Sequence, residues 1–204
     1  MNFLKKIFGL NNSQKDKSLG NFIVATLNDK IMPLDRGEVY EDPLDEFIQK
    51  NGIGEVTGGG TMQHESGEID FCDVEIRLNS DNVIHDEIKL IVSKLEELGA
   101  PKGSKLTIEQ TEEVVEFGKL EGLGLYLDGI NLSDEVYKNS DSEALANEII
   151  KLANIKSQII RYWQGNTETG LYFYADSFDA IKKAISNFVS SHPECENSRI
   201  ERVA

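Results

Sequence analysis

Alternating apolar and charged positions mark the clearest strand of the chain, at Glu68–Leu78. Cys72, Val74 and Ile76 alternate there with acidic and basic residues. A period of two, with one apolar and one charged side, predicts a half-buried strand. The pattern then changes to a helical spacing, with apolar residues at Ile84, Ile88, Ile91, Leu95 and Leu98. A glycine and a proline follow in the order that ends a helix, so the spacing predicts a helix over this stretch.

The same order of predicted elements occurs twice along the chain. In the first half, strands are predicted at 22–27, 53–63, 68–78 and 104–108. In the second half, they are predicted at 122–127, 157–164, 168–175 and 199–203. A helix follows the first and the third strand of each set. This order predicts an α+β fold made of tandem ferredoxin-like βαββαβ repeats, each with an antiparallel four-stranded sheet and two helices on one face.

Four segments follow from this interpretation. They are a flexible N-terminal tail at 1–20, a first ferredoxin-like half at 21–110, a linker at 111–121 and a second half at 122–204. The acidic linker is expected to hold at most one helical turn. The tail begins with an apolar stretch that contains two lysines, Met1–Leu10. Its composition predicts a loosely held end, with a short membrane-surface helix as the alternative.

The charge of the chain is strongly negative. It has 36 acidic against 21 basic residues, a net charge of −15. Such a surface repels phosphate backbones and attracts basic proteins, so we expect a basic protein partner and no nucleic acid. No apolar run approaches the ~20 residues that a membrane span needs. The 2 cysteines lack a CxxC or CxxH neighbour, and no secretory signal is visible, which predicts a cytoplasmic protein.

Aromatic residues concentrate in the second half. If the leucines of its strands face the helices, Tyr126, Tyr172 and Tyr174 face the other way, with Tyr162 joining them and Trp163 at the hairpin end. This face would lack the basic residues that RNA binding needs. It would instead pack against the first half or a second copy in a homodimer, or bind a partner. The predicted partner-binding residues are therefore Tyr126, Tyr162, Trp163, Tyr172 and Tyr174, with Asp73 and Glu75 at the rim.

A run of glycines is the most unusual short stretch. Gly58, Gly59 and Gly60, followed by Thr61, could turn several amides inward and form a ligand-binding loop for an anion. The run lacks the GKS or GKT ending of a P-loop and the spacing of GxGxxG. The alternative is a bulge or a close approach of two backbones, where only glycine fits.

No catalytic residue, cofactor or metal site is predicted. Asp73 and Glu75 lie beside Arg77 on the outer face of a strand, which is ordinary solvation of carboxylates. The 3 histidines have no ligand spacing such as HxxxH, and no nucleophile motif is present. An enzyme of unrecognised type, with an active site assembled from distant residues, is kept as an alternative.

Three segments carry a resemblance. GEVTGGGTM (54–62), LEELGAPKGS (95–104) and YWQGNTETGLYFYADSF (162–178) resemble segments of uncharacterised acidic bacterial proteins of the kind that act as immunity proteins in contact-dependent toxin systems. Together with the charge, the resemblance favours a non-enzymatic protein-binding module, an immunity or inhibitor protein that masks a basic partner. The first alternative is a small-molecule sensing module with its ligand near Gly58–Gly60.

Overall fold

Two antiparallel sheets, one of five strands and one of four, form the framework of the protein. The computed structural model describes residues 21–80, 82 and 84–204. The first half of the chain forms the five-stranded sheet 1 and the second half forms the four-stranded sheet 2. The tail predicted at 1–20, including its alternative as a membrane-surface helix, lies outside the described residues.

The helices and strands follow the predicted order. The described residues of the first half form β1 (Phe22–Leu27), α1 (Pro33–Arg36), α2 (Asp42–Lys50), β2 (Gly54–Gln63), β3 (Ile69–Leu78), α3 (His85–Glu97), β4 (Ser104–Ile108) and β5 (Glu113–Phe117). Those of the second half form β6 (Glu121–Asp128), α4 (Asp134–Asn139), α5 (Ser142–Leu152), β7 (Arg161–Gln164), β8 (Glu168–Ala175), α6 (Phe178–Ser191) and β9 (Arg199–Arg202).

Both halves have the strand order of a ferredoxin-like unit. Sheet 1 runs β2-β3-β1-β4-β5 and sheet 2 runs β7-β8-β6-β9. In each, the first strand of the half lies between the third and the fourth, and all neighbours are antiparallel. The predicted α+β fold of tandem ferredoxin-like repeats is therefore confirmed.

Strand β5 is an addition that the sequence pattern did not predict. It lies in the segment 111–121, where a linker with at most one helical turn was expected, and it pairs with β4 to give sheet 1 five strands instead of four. The acidic residues of this segment suggested a solvated connection. Its β-branched Val114 and Val115 favour a strand, and Phe117 is buried against the core of the first half.

The core of each half lies between one face of its sheet and two helices. In sheet 1, the predicted alternation of β3 is observed, because Cys72, Val74 and Ile76 are buried while Glu75 and Arg77 are exposed. The helices α2 and α3 cover this face with their apolar stripes. In sheet 2, the leucines of β6 pack in the same way beneath α5 and α6, in a core formed by Leu123, Leu125, Leu145, Ile149, Ile181 and Ile185.

A π-helical turn at Gly37–Glu41 joins α1 to α2. Asp42-Pro43, a capping acid followed by a proline, has the sequence form of a helix start, but the helical stretch begins earlier, at Pro33. A proline inside a helix cannot donate its amide hydrogen bond, and a π-turn is one way to accommodate that loss. The wider turn also places Tyr40 in the interior of the first half, where it is fully buried.

Candidate binding surfaces

The side of sheet 2 that faces away from α5 and α6 is buried against the first half, and we call it the tyrosine face. Tyr126, Tyr172 and Tyr174 lie on it, and none is more than 5% exposed. The hydroxyls of Tyr126 and Tyr172 donate to Glu68 Oε1, over 3.0 and 2.7 Å. The hydroxyl of Tyr174 accepts from the Lys30 amide at 3.0 Å. These contacts cross the junction between the halves.

The predicted partner-binding role of these three tyrosines is therefore corrected. Their rings have no free surface to offer a partner, and the arrangement matches the alternative in which this face packs against the first half. Burial and then the hydrogen bond to Glu68 are the main causes that raise the pKa of Tyr126 to about 12. The hydroxyl therefore stays protonated at neutral pH and remains a donor to the Glu68 carboxylate.

Glycines on the same face make room for the tyrosine rings. A Cβ atom at Gly124 would lie 2.9 Å from the ring of Tyr126, and one at Gly170 would lie 2.5 Å from the hydroxyl of Tyr172. Each ring therefore lies over a glycine, where no side chain occupies the space. Tyr126 and Tyr172 meet edge to face, with ring centroids 5.9 Å apart, which is a favoured geometry for aromatic pairs.

A buried ion pair forms the centre of the junction. Asp29, which is fully buried, accepts hydrogen bonds from Arg161 Nε at 2.6 Å and from Arg161 Nη2 at 3.0 Å. The hydroxyl of Tyr40 donates to the same carboxylate at 2.8 Å. Burial alone would lower the pKa of Arg161, but the adjacent Asp29 carboxylate outweighs it and the pKa is raised. The pair is therefore charged, bidentate and shared between the two halves.

Tyr162 and Trp163 are exchanged relative to the prediction. The register of β7 on β8 pairs Arg161 with Tyr172 and Trp163 with Gly170. This puts the indole on the tyrosine face, where its Nε1 donates to the carbonyl of Ser66 at 3.1 Å. Tyr162 points to the helix side and is 46% exposed. A shift of one residue in a strand exchanges its two faces, and the prediction was wrong by that one residue.

The glycine run belongs to a paired strand and does not form a loop. Gly58 and Gly60 lie opposite Glu75 and Asp73 of β3, with a bulge just before Gly58. A Cβ atom at Gly59 would lie 2.2 Å from the carbonyl oxygen of Asp73, so only glycine fits there. The ligand-loop hypothesis for Gly58, Gly59, Gly60 and Thr61 therefore gives way to its alternative, a bulge with a close backbone approach.

Arg36 lies against β2 in the space that the absence of side chains on its glycines leaves open. Its Nη1 donates to the carbonyl of Gly60 at 2.5 Å and to Thr61 Oγ1 at 2.9 Å, while its Nε donates to Glu41 at 2.6 Å. The guanidinium is thus held by the π-helical turn and by β2 at once. This explains why a charged residue is buried at this position.

The side of sheet 1 that faces away from α2 and α3 is not covered by any of the residues that the structure describes, and we call it the open face. It carries partly exposed Phe22, Val24 and Phe71, together with Met62 and Val114, which are each 52% exposed. Among the described residues, none of these five belongs to a buried hydrophobic cluster. The open face is thus an apolar sheet surface in contact with solvent.

Charged residues lie among these apolar residues on the open face, and Lys105 of β4, opposite Glu116, is one of them. Glu75 is exposed, and Asp73 accepts from Thr26 Oγ1 at 2.6 Å. Glu116 adds a third carboxylate, and Arg77 is paired with Glu55. Both predicted rim residues, Asp73 and Glu75, therefore lie on the open face of the first half, on a different sheet from the tyrosines with which they were grouped.

The two cysteines are buried and unpaired with each other. Burial raises the pKa of the Cys72 thiol, and it raises the pKa of Cys195 to about 11. A thiol must lose its proton to act as a nucleophile or a metal ligand, so neither cysteine is activated at neutral pH.

Within the described residues, no group of three or more His, Cys, Asp or Glu side chains is arranged to hold a metal ion. No helix in that part of the chain is long and apolar enough to cross a membrane.

Comparison with known proteins gives matches to solved structures only. No model of a protein family matches the chain, and no curated protein matches it. The first two RRM domains of yeast poly(U) binding protein match with 13% identity and a TM-score of 0.27, over 89% of this chain and 99% of that one. RNA recognition domains 1 and 2 of Sex-lethal from Drosophila melanogaster match with 11% identity and a TM-score of 0.26, over 89% and 99%. A putative monooxygenase from Lactobacillus acidophilus matches with 10% identity and a TM-score of 0.27, over 90% and 94%.

One prediction drawn from the charge is corrected by these matches. The sequence analysis excludes nucleic acid as a partner, whereas two of the matching structures are pairs of RNA-recognition domains, one of them from a poly(U)-binding protein. The exclusion therefore does not stand.

Proposed function

We propose that the protein is a non-enzymatic binding module that holds a basic segment of a protein partner on the open face of sheet 1. Its particular form would be an immunity or inhibitor protein, as the resemblance of the three sequence segments suggests. The observation that carries the proposal is a difference in burial between two equivalent surfaces. The tyrosine face of sheet 2 is buried by the first half, and the open face of sheet 1 has no such cover among the described residues.

The apolar content of the open face supports a binding role. An antiparallel sheet that has one face on a core normally shows polar residues on its other face. Here Met62 pairs with Phe71 at one end of the face, and Phe22 and Val24 of β1 lie towards the other end, in line with Val114 of β5. Exposed apolar surface bordered by polar residues is typical of protein interaction sites.

The charge around the open face favours a basic partner. Asp73, Glu75 and Glu116 lie among the apolar residues, with the exposed Lys105 opposite Glu116, and the whole chain carries a net charge of −15. Complementary charge increases the rate of encounter, and the apolar contacts then slow dissociation. A partner segment with lysines or arginines next to apolar side chains fits both features of this surface.

Photo-crosslinking from the open face tests the proposal. A photoreactive residue at Val114 is expected to crosslink a basic protein in native cells, whereas the same residue at the exposed Leu152 of α5 serves as the matched control. With the identified partner, association is expected to slow roughly tenfold between low and high salt, because exposed charges are screened. The pair Asp73→Asn and Glu75→Gln should slow association, and Met62→Ala with Val114→Ala should speed dissociation.

Three results would contradict this function. They are equal crosslinking from both positions, an association rate that does not depend on salt, and recovery of RNA as the crosslinked species. The last outcome would reassign the open face to nucleic acid.

A further inference from the structure

A groove of about 530 Å³ lies on the helix side of sheet 2, along the edge strand β7. It is separate from the tyrosine face, because its strand residues have the opposite orientation. Leu171 of β8 is the buried residue of the lining, and Ile159 and Ile160 precede β7. Tyr162 contributes the exposed ring noted above. The volume is in the range of sites for small organic molecules.

The charged residues that line the groove are both acidic. Glu143 belongs to the first turn of α5, and Asp35 belongs to α1 in the first half, so the two halves each supply one carboxylate. Neither carboxylate has an ion-pair partner among the residues that the structure describes. The groove therefore combines apolar surface, an exposed aromatic ring and two unneutralised negative charges.

The N-terminus of α5 does not make the groove a site for anions. The start of a helix attracts anions through its free amides. Here the side chain of Asp141 accepts from the Ala144 amide at 2.9 Å and acts as the cap. Because Asp141 caps the helix and Glu143 lies in its first turn, an anionic ligand would be repelled by two carboxylates.

We propose that this groove binds an organic cation, an ammonium or guanidinium group carried on an apolar stem. The head group meets the carboxylates of Asp35 and Glu143 over the ring of Tyr162, and the stem packs on Ile160. An aromatic ring attracts a cation placed over its face, which adds to the carboxylates. The site goes beyond the proposed function, because it lies on the other sheet and does not involve the open face. Either a free amine or the side chain of a lysine or arginine in another protein could supply this chemistry.

The experiment titrates 4-phenylbutylamine into the full-length protein and follows the methyl signals of Ile159, Ile160 and Leu171 by NMR. The neutral analogue 4-phenylbutanol is titrated in parallel. We expect the amine to shift these signals and to bind at least about threefold more tightly than the alcohol, since partly exposed charge pairs contribute modestly. The double variant Asp35→Asn, Glu143→Gln should weaken amine binding by about three- to tenfold and leave alcohol binding unchanged.

Matched variants keep the interpretation specific. Tyr162→Ala should weaken amine binding by about two- to fivefold through loss of the ring. The pair Glu135→Gln and Glu148→Gln removes two carboxylates of the second half that lie outside the groove, and it should leave binding unchanged. Retained methyl chemical shifts in the free variants show that they are folded.

The outcomes separate the proposal from its rivals. Equal binding of alcohol and amine, no effect of the double variant, or no shift of the methyl signals at about 10 mM amine would each overturn it. A short lysine–leucine peptide that binds more tightly than the free amine identifies a protein side chain as the source of the cation, and weaker binding identifies a free amine. All these results are independent of the crosslinking from Val114, so the two proposals fail separately.

Discussion

At the scale of residues, the junction depends on one carboxylate with three donors. Asp29 receives two hydrogen bonds from Arg161 and one from Tyr40, in a site without solvent access. A buried ion pair gains less than its Coulomb energy suggests, because both charges lose their hydration. Its loss is costly for a different reason, since removal of one partner leaves the other charged and unpaired.

The first prediction concerns this ion pair. Asp29→Asn is expected to lower the free energy of unfolding by about 3 to 5 kcal/mol, because it leaves Arg161 buried without its counter-charge. The double variant Asp29→Leu, Arg161→Met should cost less than Asp29→Asn, since it removes both charges. Urea unfolding measures each value. As the control, Arg77→Met removes the exposed pair with Glu55 and should cost at most about 1 kcal/mol. An equal cost for the buried and the exposed variants would argue against a central role for Asp29.

The second prediction concerns Glu121, which lies between the two halves. Its carboxylate accepts hydrogen bonds from Lys102, from the amide of Phe178 and from Arg202, and these lower its pKa from the usual 4.5 to about 2. A lowered pKa in the folded state means that the contribution to stability is present above about pH 4.5 and disappears as the pH falls towards 2.

Glu121→Gln should therefore show a smaller loss of stability between pH 4.5 and 2 than the natural protein. The urea midpoint, measured at several pH values across this interval, gives the comparison. Glu135→Gln, on the exposed start of α4, is the control and should follow the natural protein. Parallel curves for all three proteins would show that the hydrogen bonds of Glu121 do not affect stability.

At the scale of elements, a single glycine controls how β2 pairs with β3. The bulge before Gly58 brings the backbone of Gly59 against the carbonyl of Asp73. Gly60, the next residue, has no such neighbour, because a Cβ atom there would come no nearer than 4.0 Å to the side chain of Asp73. Two adjacent glycines in one strand therefore differ in what they tolerate.

The third prediction uses this pair of glycines. Gly59→Ala should destabilise the protein by about 2 kcal/mol or more, because the new methyl group overlaps the Asp73 carbonyl. Gly60→Ala should be neutral or stabilising by up to about 1 kcal/mol, because alanine restricts the unfolded chain. Thermal unfolding of the two variants measures the difference. The bulge geometry is wrong if the two substitutions have the same effect.

Local sequence patterns predicted most of the helices and strands. Pairing between distant parts of the chain explains where the observed elements differ from the predicted ones. The alternation in β3 and the helical stripe of α3 are properties of neighbouring residues, so both were visible in the sequence. Strand β5 was missed because its valines lie among acidic residues, and only pairing with β4 makes them part of a sheet. The face of Tyr162 depends on the register of β7, which begins at Arg161 although a strand from 157 was predicted.

The candidate site was less predictable than the fold for the same reason. The alternation along the strands correctly put Tyr126 and Tyr172 on the face away from the helices. It could not show that Glu68 of the first half would cover them, since that contact joins residues far apart in the chain. The acidic residues Asp73 and Glu75 were identified, but their neighbours on the open face became evident only from the pairing of β1, β3 and β4.

At the scale of the whole molecule, one end of sheet 1 meets the tyrosine face of sheet 2. The contacts come from the loop after β1, from the turn between β2 and β3, and from Lys102 before β4, which donates to Glu121. In addition to its hydrogen bonds, the junction contains Leu120, Val203 and Ala204 packed against the tyrosines. Apolar burial and a charged pair at the same junction couple the stabilities of the two halves.

The fourth prediction is that the halves unfold together. Trp163, the single tryptophan of the chain, reports on the junction through its hydrogen bond to Ser66. Its fluorescence and the far-UV circular dichroism should therefore give the same urea midpoint in the natural protein. Glu68→Ala removes the acceptor shared by Tyr126 and Tyr172, and it should move the fluorescence midpoint to lower urea than the circular dichroism midpoint. Separate transitions in the natural protein would show that the halves are independent.

The burial of the tyrosine face limits the number of partners that the molecule can bind through its sheets. Two equivalent sheets could in principle hold two partners and link them into larger assemblies. Because one of these surfaces is occupied by the chain itself, the proposed mode of binding leaves a single open face per molecule. A monovalent binder caps its target and cannot crosslink it, so mixing with a multivalent partner should give discrete complexes whose size stops growing once every site is filled.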